Sequence, residues 1–461
     1  GLDLALVMIK GILFSMLTVF TLMPGLLVLF SKLIEKTGHK SFVPSIKRLG
    51  RFSIKTRYIM PPIFALLLIV SFIFSSNCPY LFSMEDVRSH RVSEAQNQQD
   101  RINETFGKTN TMALVVPSGD YEAERNLLGR LSRYDEVGST MGLSNTEAFG
   151  GYMITDELTP RQFSELVDLD YEIAQVLYSA YSINEEDYAK IINGISNYGV
   201  PLIDMFQFLY DQVIQGYVSI DVDLMEELDT SYQLLSNARL QMEGDNYSRM
   251  IINAKLPIES EETFDFVYKV YEEAAEYYDE DKVYLMGESA NALELSLTFE
   301  KDNLIISLLS VAFVIIVLII TFRSLALSIL LVSVIQTSIW INFSFPYLRG
   351  YGLYFLGFLV VSAIQMGANI DYAIVITSRY LKLKKHMNRE QAVVEALNQG
   401  FNTVITSGSI LAIAGYLIGY ISTDGTIAIL GTYIGQGTII SIVLVIFVLP
   451  QVLYLGDYII E

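Results

Sequence analysis

The run Gly367-Ala368-Asn369-Ile370-Asp371-Tyr372 decides how this chain is read, because it sets a carboxylic acid inside a long apolar stretch. Asp371 is the only charged side chain among the 25 positions from Leu353 to Thr377. A helix rising about 1.5 Å per residue over that length spans a hydrocarbon layer of roughly 30 Å. Arg379 marks the near end, so the acid sits on the order of 12 Å inside it. Ionising a carboxyl at that depth is costly, and an acid kept there is read first as a proton or ion site. The plainer reading is an acid buried in helix packing with a permanent partner.

Spacing adds to this. Ala363, Gly367 and Asp371 recur every fourth residue and share one helical face. Small residues let another helix approach closely, so that face is predicted to point into a bundle rather than to lipid. A neutral Asp371 is tolerated there, whereas an ionised one needs a hydrogen-bond donor or a cation. Tyr372 offers a hydroxyl on the adjacent face, or simply packs as an aromatic ring. The next span opens Asn402-Thr403 and Thr406-Ser407-Gly408-Ser409. These hydroxyls can serve Asp371 or water, or bond their own backbone carbonyls four residues back. Gly408, Ala412, Gly415 and Gly419 form a small-residue stripe, and Gly431 and Gly435 a second; both are packing signals. Gln336 and Gln365 are expected to hydrogen-bond between helices.

Composition fits this picture. The chain has 461 residues, is 52% hydrophobic and has a mean hydropathy of +0.39. From Asn77 to Glu300 there are 42 acidic and 14 basic residues, while the remainder is net basic. The acidity therefore belongs to one water-exposed domain, which excludes electrostatic binding of nucleic acid. Cys78 stands alone, and His39, His90 and His386 are isolated, so neither a disulfide framework nor a metal cluster is expected. GxxxxGK[ST], GxSxG, HExxH and CxxC are all absent, and no enzyme activity or bound cofactor is expected.

Seven spans are predicted: Leu4–Phe30, Tyr58–Ser76, Leu304–Thr321, Leu325–Phe343, Leu353–Thr377, Phe401–Ile421 and Ile427–Leu449. Lys32, Lys36, Lys40, Lys47, Arg48, Arg51, Lys55 and Arg57 crowd the first linker, and Arg379, Lys382, Lys384, Lys385 and Arg389 follow the fifth span. The excess of positive charge places both on the cytoplasmic side and the acidic domain outside. Residues 1–30 and 58–76 are then single spans around a basic linker, 31–57. Residues 77–302 form the external domain, and 303–456 a five-span bundle with an amphipathic cytoplasmic helix at 388–398, capped by Asn388 and expected on the membrane surface. The first span aligns with the last: Gly11, Ser15, Val19 and Pro24 match Gly437, Ser441, Val445 and Pro450 at a constant offset. That internal match suggests a duplicated architecture, of which this chain holds the end of one half and all of the other.

The external domain reads as two β-α-β units. The first is Thr111–Val116, Tyr121–Tyr134 and Val137–Leu143. The second is Tyr247–Leu256, Glu261–Tyr278 with Ser260 as N-cap, and Lys282–Met286. Between them about 160–241 shows helical periodicity and is predicted to be a helical insertion. The fold class is thus a multi-pass α-helical membrane bundle with an α+β, ferredoxin-like extracytoplasmic domain carrying that insertion.

These residues resemble the second half of a resistance-nodulation-division superfamily transporter of the MMPL (mycobacterial membrane protein large) type. The likeness rests on Gly367-x-x-x-Asp371-Tyr372 leading to Arg379-Tyr380, on the Phe322-Arg323-Ser324 turn, and on Ala392 and Ala396 in the helix after the basic patch. The Thr406-Ser407-Gly408 opening, Pro450 and Val283-Tyr284-Leu285-Met286-Gly287 add to it. The long insertion departs from the family pattern. The resemblance implies export of lipids or other hydrophobic or amphiphilic molecules driven by the proton-motive force, from a bacterial cytoplasmic membrane. It implies Asp371 as relay acid, Tyr372 as its paired hydroxyl and Ser407 as a neighbour, with Gly367 and Ala363 supporting the helix packing. The reciprocal acid and tyrosine would lie in the N-terminal half of the same protein. Protons would be the coupling ion, membrane lipids and hydrophobic cargo the small-molecule partners, with homo-oligomerisation and accessory proteins left open. A sterol-sensing receptor or lipid sensor, and more remotely a SecDF-like translocation component, are the competing readings.

Overall fold

A computed structural model describes residues 2–37, 45–84, 87, 91–148, 150–184, 194–218 and 222–460. Lys40, His39, His90 and two short parts of the predicted insertion lie outside these residues.

First come helix α1 (Leu2–Leu29), whose apolar span Ala5–Leu29 has no buried stretch, and the short α2 (Ser31–Lys36). Helix α3 (Lys47–Lys55) bends by 83° into α4 (Met60–Ser76). A short strand β1 (Tyr80–Leu81) and α5 (Glu94–Phe106) lead into the acidic domain, and α5 is capped by the Ser93 side chain.

In that domain β2 (Asn110–Pro117), α6 (Tyr121–Leu131) and β3 (Val137–Met141) form the first unit. Strand β6 (Tyr247–Ala254), α11 (Glu261–Ala275) and β7 (Tyr284–Met286) form the second, after the insertion described below. The sheet is antiparallel throughout in the order β3-β6-β2-β7, so each unit's two strands flank a strand of the other. Alternation in β2 buries Met112, Leu114 and Val116 against Leu127, Leu128 and Leu131 of α6 and Phe266, Val267 and Val270 of α11. Ser260 caps α11 as its sequence predicts, accepting from the Thr263 amide at 3.0 Å.

The insertion consists of β4 (Glu157–Leu158), α7 (Pro160–Leu166), α8 (Tyr171–Asn184), β5 (Val200–Pro201), α9 (Leu202–Ile214) and α10 (Val222–Met242). It has its own apolar core around Phe163, Tyr178, Tyr198 and Phe206.

Helix α12 (Glu288–Phe322) starts inside the acidic domain and runs on into the apolar bundle as one 35-residue rod. Its start is fixed to the sheet: the Ser289 hydroxyl donates to Ile258 O at 2.7 Å and receives Asn110 Nδ2 at 2.8 Å. Then follow α13 (Leu325–Arg349), strand β8 (Leu353–Tyr354), α14 (Phe355–Leu383), α15 (Arg389–Ile421), α16 (Gly425–Phe447) and α17 (Leu449–Ile460). Among the described residues six helices are long and apolar enough to cross a membrane, or seven if the bent α3–α4 pair counts as one span.

One expectation fails. The helix predicted to lie on the membrane surface at 388–398 is instead the first third of α15, continuous with the span. Asn388 does cap it, accepting from the Gln391 amide at 2.9 Å. Its apolar face, Ala392, Val393, Ala396 and Leu397, is buried in the bundle core rather than set against lipid. No proline separates Leu397 from Phe401, and Gly400, the one weak point between them, stays helical and packs closely on Ile376 of α14, so the helix runs straight through. Instead α3 packs against it, with Gly50 so close that an added Cβ would lie 3.0 Å from the Val394 backbone.

Candidate functional site

Helix α14 has one covered face and one open face. Gln365, Asn369, Tyr372, Ala373, Ile376 and Tyr380 are buried against neighbouring helices. Ala363, Gly367 and Asp371 are exposed, and a Cβ built on Gly367 would meet nothing within 4 Å. The small-residue face was expected to point into a bundle; within this chain Gly367 and Asp371 point away from it, while Ala363 borders a groove between the spans. The reason is periodicity: at about 100° per residue, Asp371 stands some 200° from the buried Asn369.

Tyr372 is 5% exposed, with its ring against α15 at Gly408, where an added Cβ would lie 3.6 Å from the ring. Ser407, next in sequence to Gly408, is exposed and donates to Thr403 O at 2.8 Å. This is the backbone-bonded alternative. Asn402, Thr403 and Thr406 are exposed with it. The structure therefore brings Tyr372 against Gly408 and leaves Asp371 exposed, with Ser407 bonded to its own helix instead.

The two glycine stripes meet. An added Cβ on Gly415 would lie 2.7 Å from both Gly431 O and Gly435 N, so α15 and α16 touch backbone to backbone. Behind Asp371 lies a polar cluster that the sequence reading only partly anticipated. Gln365 accepts from Asn342 Nδ2 at 3.1 Å and donates to Ser338 Oγ and to Gly437 O at 3.3 Å. Gly437 is what admits it, because any Cβ there would strike the Gln365 carboxamide. The signal for Asn342, Ser338 and Ser441 was present as polar residues at four-residue spacing in apolar spans.

At the basic end, the Asp457 carboxylate of α17 is fully buried between Lys384 Nζ at 2.7 Å and Arg389 Nε at 2.8 Å. Arg57 pairs with Glu390 at 2.6 Å and Lys47 with Glu395 at 3.2 Å, fastening α3 to the start of α15.

Two cavities stand out. One of about 940 Å³ lies between α4, α12, α13 and α14, walled by Phe72, Phe299, Trp340 and Phe358 and dotted with Ser307, Ser333, Gln336 and Ser362. Ala363 and Met366, on the same helix as Gly367, also line it. The other, about 1230 Å³, lies between the sheet and the insertion, is mainly polar, and carries more acidic than basic side chains. Its Arg239 is held by Asp204 at 2.7 Å and Glu243 at 2.9 Å. Among the described residues no three His, Cys, Asp or Glu side chains come together to hold a metal ion.

The spans are coupled to the domain by aromatic contact. Tyr80 and Phe82 pack tilted and edge-on against Phe299, and Phe82 packs tilted against Phe355. Beside them β1 pairs with β8 in parallel, and the Glu259 carboxylate accepts from the Phe82 and Ser83 amides at 2.9 Å.

Two crystal forms of a heavy metal efflux pump share 14% identity with the chain at a TM-score of 0.43, covering 89% of it and 49% of the pump. The chain thus spans about half the length of those structures. No curated protein sequence matches it. The model of the MMPL family matches residues 223–457, from the end of the insertion through the whole five-helix bundle to Asp457. Six or seven apolar helices, the Asp-Tyr pair on α14 and a match over half its length make this chain a member of the MMPL family.

Proposed function

We propose that the chain is the second half of a proton-driven exporter of lipids or other hydrophobic, amphiphilic molecules. The observation that carries this reading is Asp371: an acid near the middle of a span, on an open face of small residues. Such a face suits a second bundle of the same build, whose own acid and tyrosine would meet Asp371 and Tyr372. Protonation would then decide whether the two bundles can pack closely there, and α12 is the rod that carries the change to the acidic domain. The basic ends of α3 and α14 support a cytoplasmic placement and hence an external acidic domain, and the order β3-β6-β2-β7 supports reading that domain as ferredoxin-like. The 940 Å³ groove, mainly apolar and open between spans, has the character a hydrophobic cargo needs.

The test is Asp371→Asn in the complete protein. Transport of labelled lipid in proteoliposomes should be lost with expression and folding unchanged, and undiminished transport would refute the reading. Lipid counterflow by the unaltered protein separates an exporter from a lipid sensor, which binds without net movement.

A further inference from the structure

The buried face of α14 presents polar groups to polar groups on both of its neighbours. Asn342 and Ser338 lie four residues apart on α13, Gln365 and Asn369 on α14, and Tyr433, Gly437 and Ser441 on α16. Each set therefore lines one helical face. Their bonds cross the bundle: Asn342 Nδ2 donates to Tyr433 O at 3.0 Å, and the Ser338 and Ser441 hydroxyls are 2.7 Å apart. At the acidic-domain end the Tyr433 hydroxyl meets that of Tyr351 at 2.8 Å, and Tyr351 is 39% exposed. One turn further in, Val334, Ala373 and Val445 are fully buried and close the column with an apolar floor.

Asn369 sits just above that floor, 0% exposed, with neither Oδ1 nor Nδ2 hydrogen-bonded. Asn342 Oδ1 is likewise unpartnered. Each such atom destabilises the fold unless something pairs with it, and the usual partner of an orphaned buried polar group is internal water.

We infer that Asn342, Gln365, Ser338, Ser441 and Asn369 form a binding site for internal water, a blind hydrated column that opens toward the acidic domain and ends at Asn369. Asn369 is two residues from Asp371, and Tyr372 stands between them around the helix. The column brings external water, and with it protons, to the depth of the acid from the side opposite the open face. This delivery role rests on the proton-driven reading above; the hydration does not.

The test uses the complete protein in proteoliposomes with Cys78→Ser, which removes the chain's single cysteine. Ser338→Cys, Asn369→Cys and Val445→Cys are exposed to Ag⁺ from the acidic-domain side, and thiols surviving modification are titrated after unfolding. Ser338→Cys and Asn369→Cys should react at least about tenfold faster than Val445→Cys, and adding Gln365→Leu should remove the advantage of Asn369→Cys. Ser338→Cys is close to isosteric, so it keeps the test valid if Asn369→Cys does not fold. Equal rates at all three positions overturn the column. The delivery role predicts that Gln365→Leu slows transport, while Asp371→Asn abolishes transport without changing Ag⁺ access. Unchanged transport in Gln365→Leu overturns delivery. Continued transport in Asp371→Asn would sink the relay itself, with the Ag⁺ rates still judging the column.

Discussion

Gly415 and Gly367 lie on adjacent spans and differ in what a methyl group would meet. At Gly415 an added Cβ falls 2.7 Å from Gly431 O and 2.7 Å from Gly435 N, where ordinary contact begins at 3.4 Å. Both obstacles are backbone, so no rotamer can yield. Helices α15 and α16 must part by about 0.7 Å, and a gap of that size forfeits roughly a quarter to a half of each contact along the seam. An overpacking cost of about 1–3 kcal/mol follows, lowering the midpoint of thermal unfolding by about 2–6 °C. At Gly367 nothing lies within 4 Å, and the added methyl gains up to about 1 kcal/mol of helix propensity. Gly415→Ala should thus destabilise this chain in detergent, and Gly367→Ala should not. The single tryptophan, Trp340 of α13, packed edge-on to Phe72 at 4.9 Å, reports unfolding of the bundle by its fluorescence. Equal stability of Gly415→Ala and the parent would refute the close seam. A Gly367→Ala variant of this chain as unstable as Gly415→Ala would refute the open face. In the complete protein, where a second bundle is proposed to cover that face, Gly367→Leu should impair transport although the chain alone folds normally.

The carboxylate of Asp457 is buried between two cations that keep partial access to water, with 19% and 48% of their side chains exposed. Asp457→Asn should therefore cost about 1–3 kcal/mol, below the full penalty of stranding a buried charge, and Asp457→Leu with Lys384→Met should recover most of it in a thermal melt. A double variant no more stable than Asp457→Asn would argue against a charge-based loss. In the acidic domain, burial raises the Glu124 carboxyl above the usual carboxylate range, and Ser144 Oγ donates to it at 3.0 Å. A carboxyl raised in the folded state favours folding below its unfolded value, near 4.3, and that contribution is lost as pH rises through the folded value. Glu124→Gln should accordingly raise the melting temperature at pH 8 and leave it nearly unchanged at pH 4. The same shift at both pH values would show that Glu124 ionisation is not the cause.

What was legible in the sequence follows from which forces act locally. The spans are readable because lipid demands long apolar runs, and β2 and β6 because one buried sheet face imposes strict alternation. Ser260 and Asn388 declare themselves because a cap is a matter of three residues. Which face of α14 its own chain covers is not local. Both faces carry residues suited to burial, small ones at Ala363 and Gly367 and amides at Gln365 and Asn369, and only the packing of α13, α15 and α16 chooses between them. The choice has a physical logic. The Gln365 carboxamide needs partners that are always present, and the chain supplies them from α13 and α16. A small-residue face with an acid in its midst serves contact that must form and break. The motif Gly367-x-x-x-Asp371-Tyr372 thus contains two messages 200° apart, and Asn369, quoted within it, belongs to the second. The long helix α15 shows the same limit in reverse. Its first turns look amphipathic and so resemble a surface helix, but the apolar stripe is buried in the bundle core, and α3, hundreds of residues earlier in the chain, covers the other side at Val394 and Asn398. Local pattern tells that a stripe will be buried; only tertiary structure tells against what.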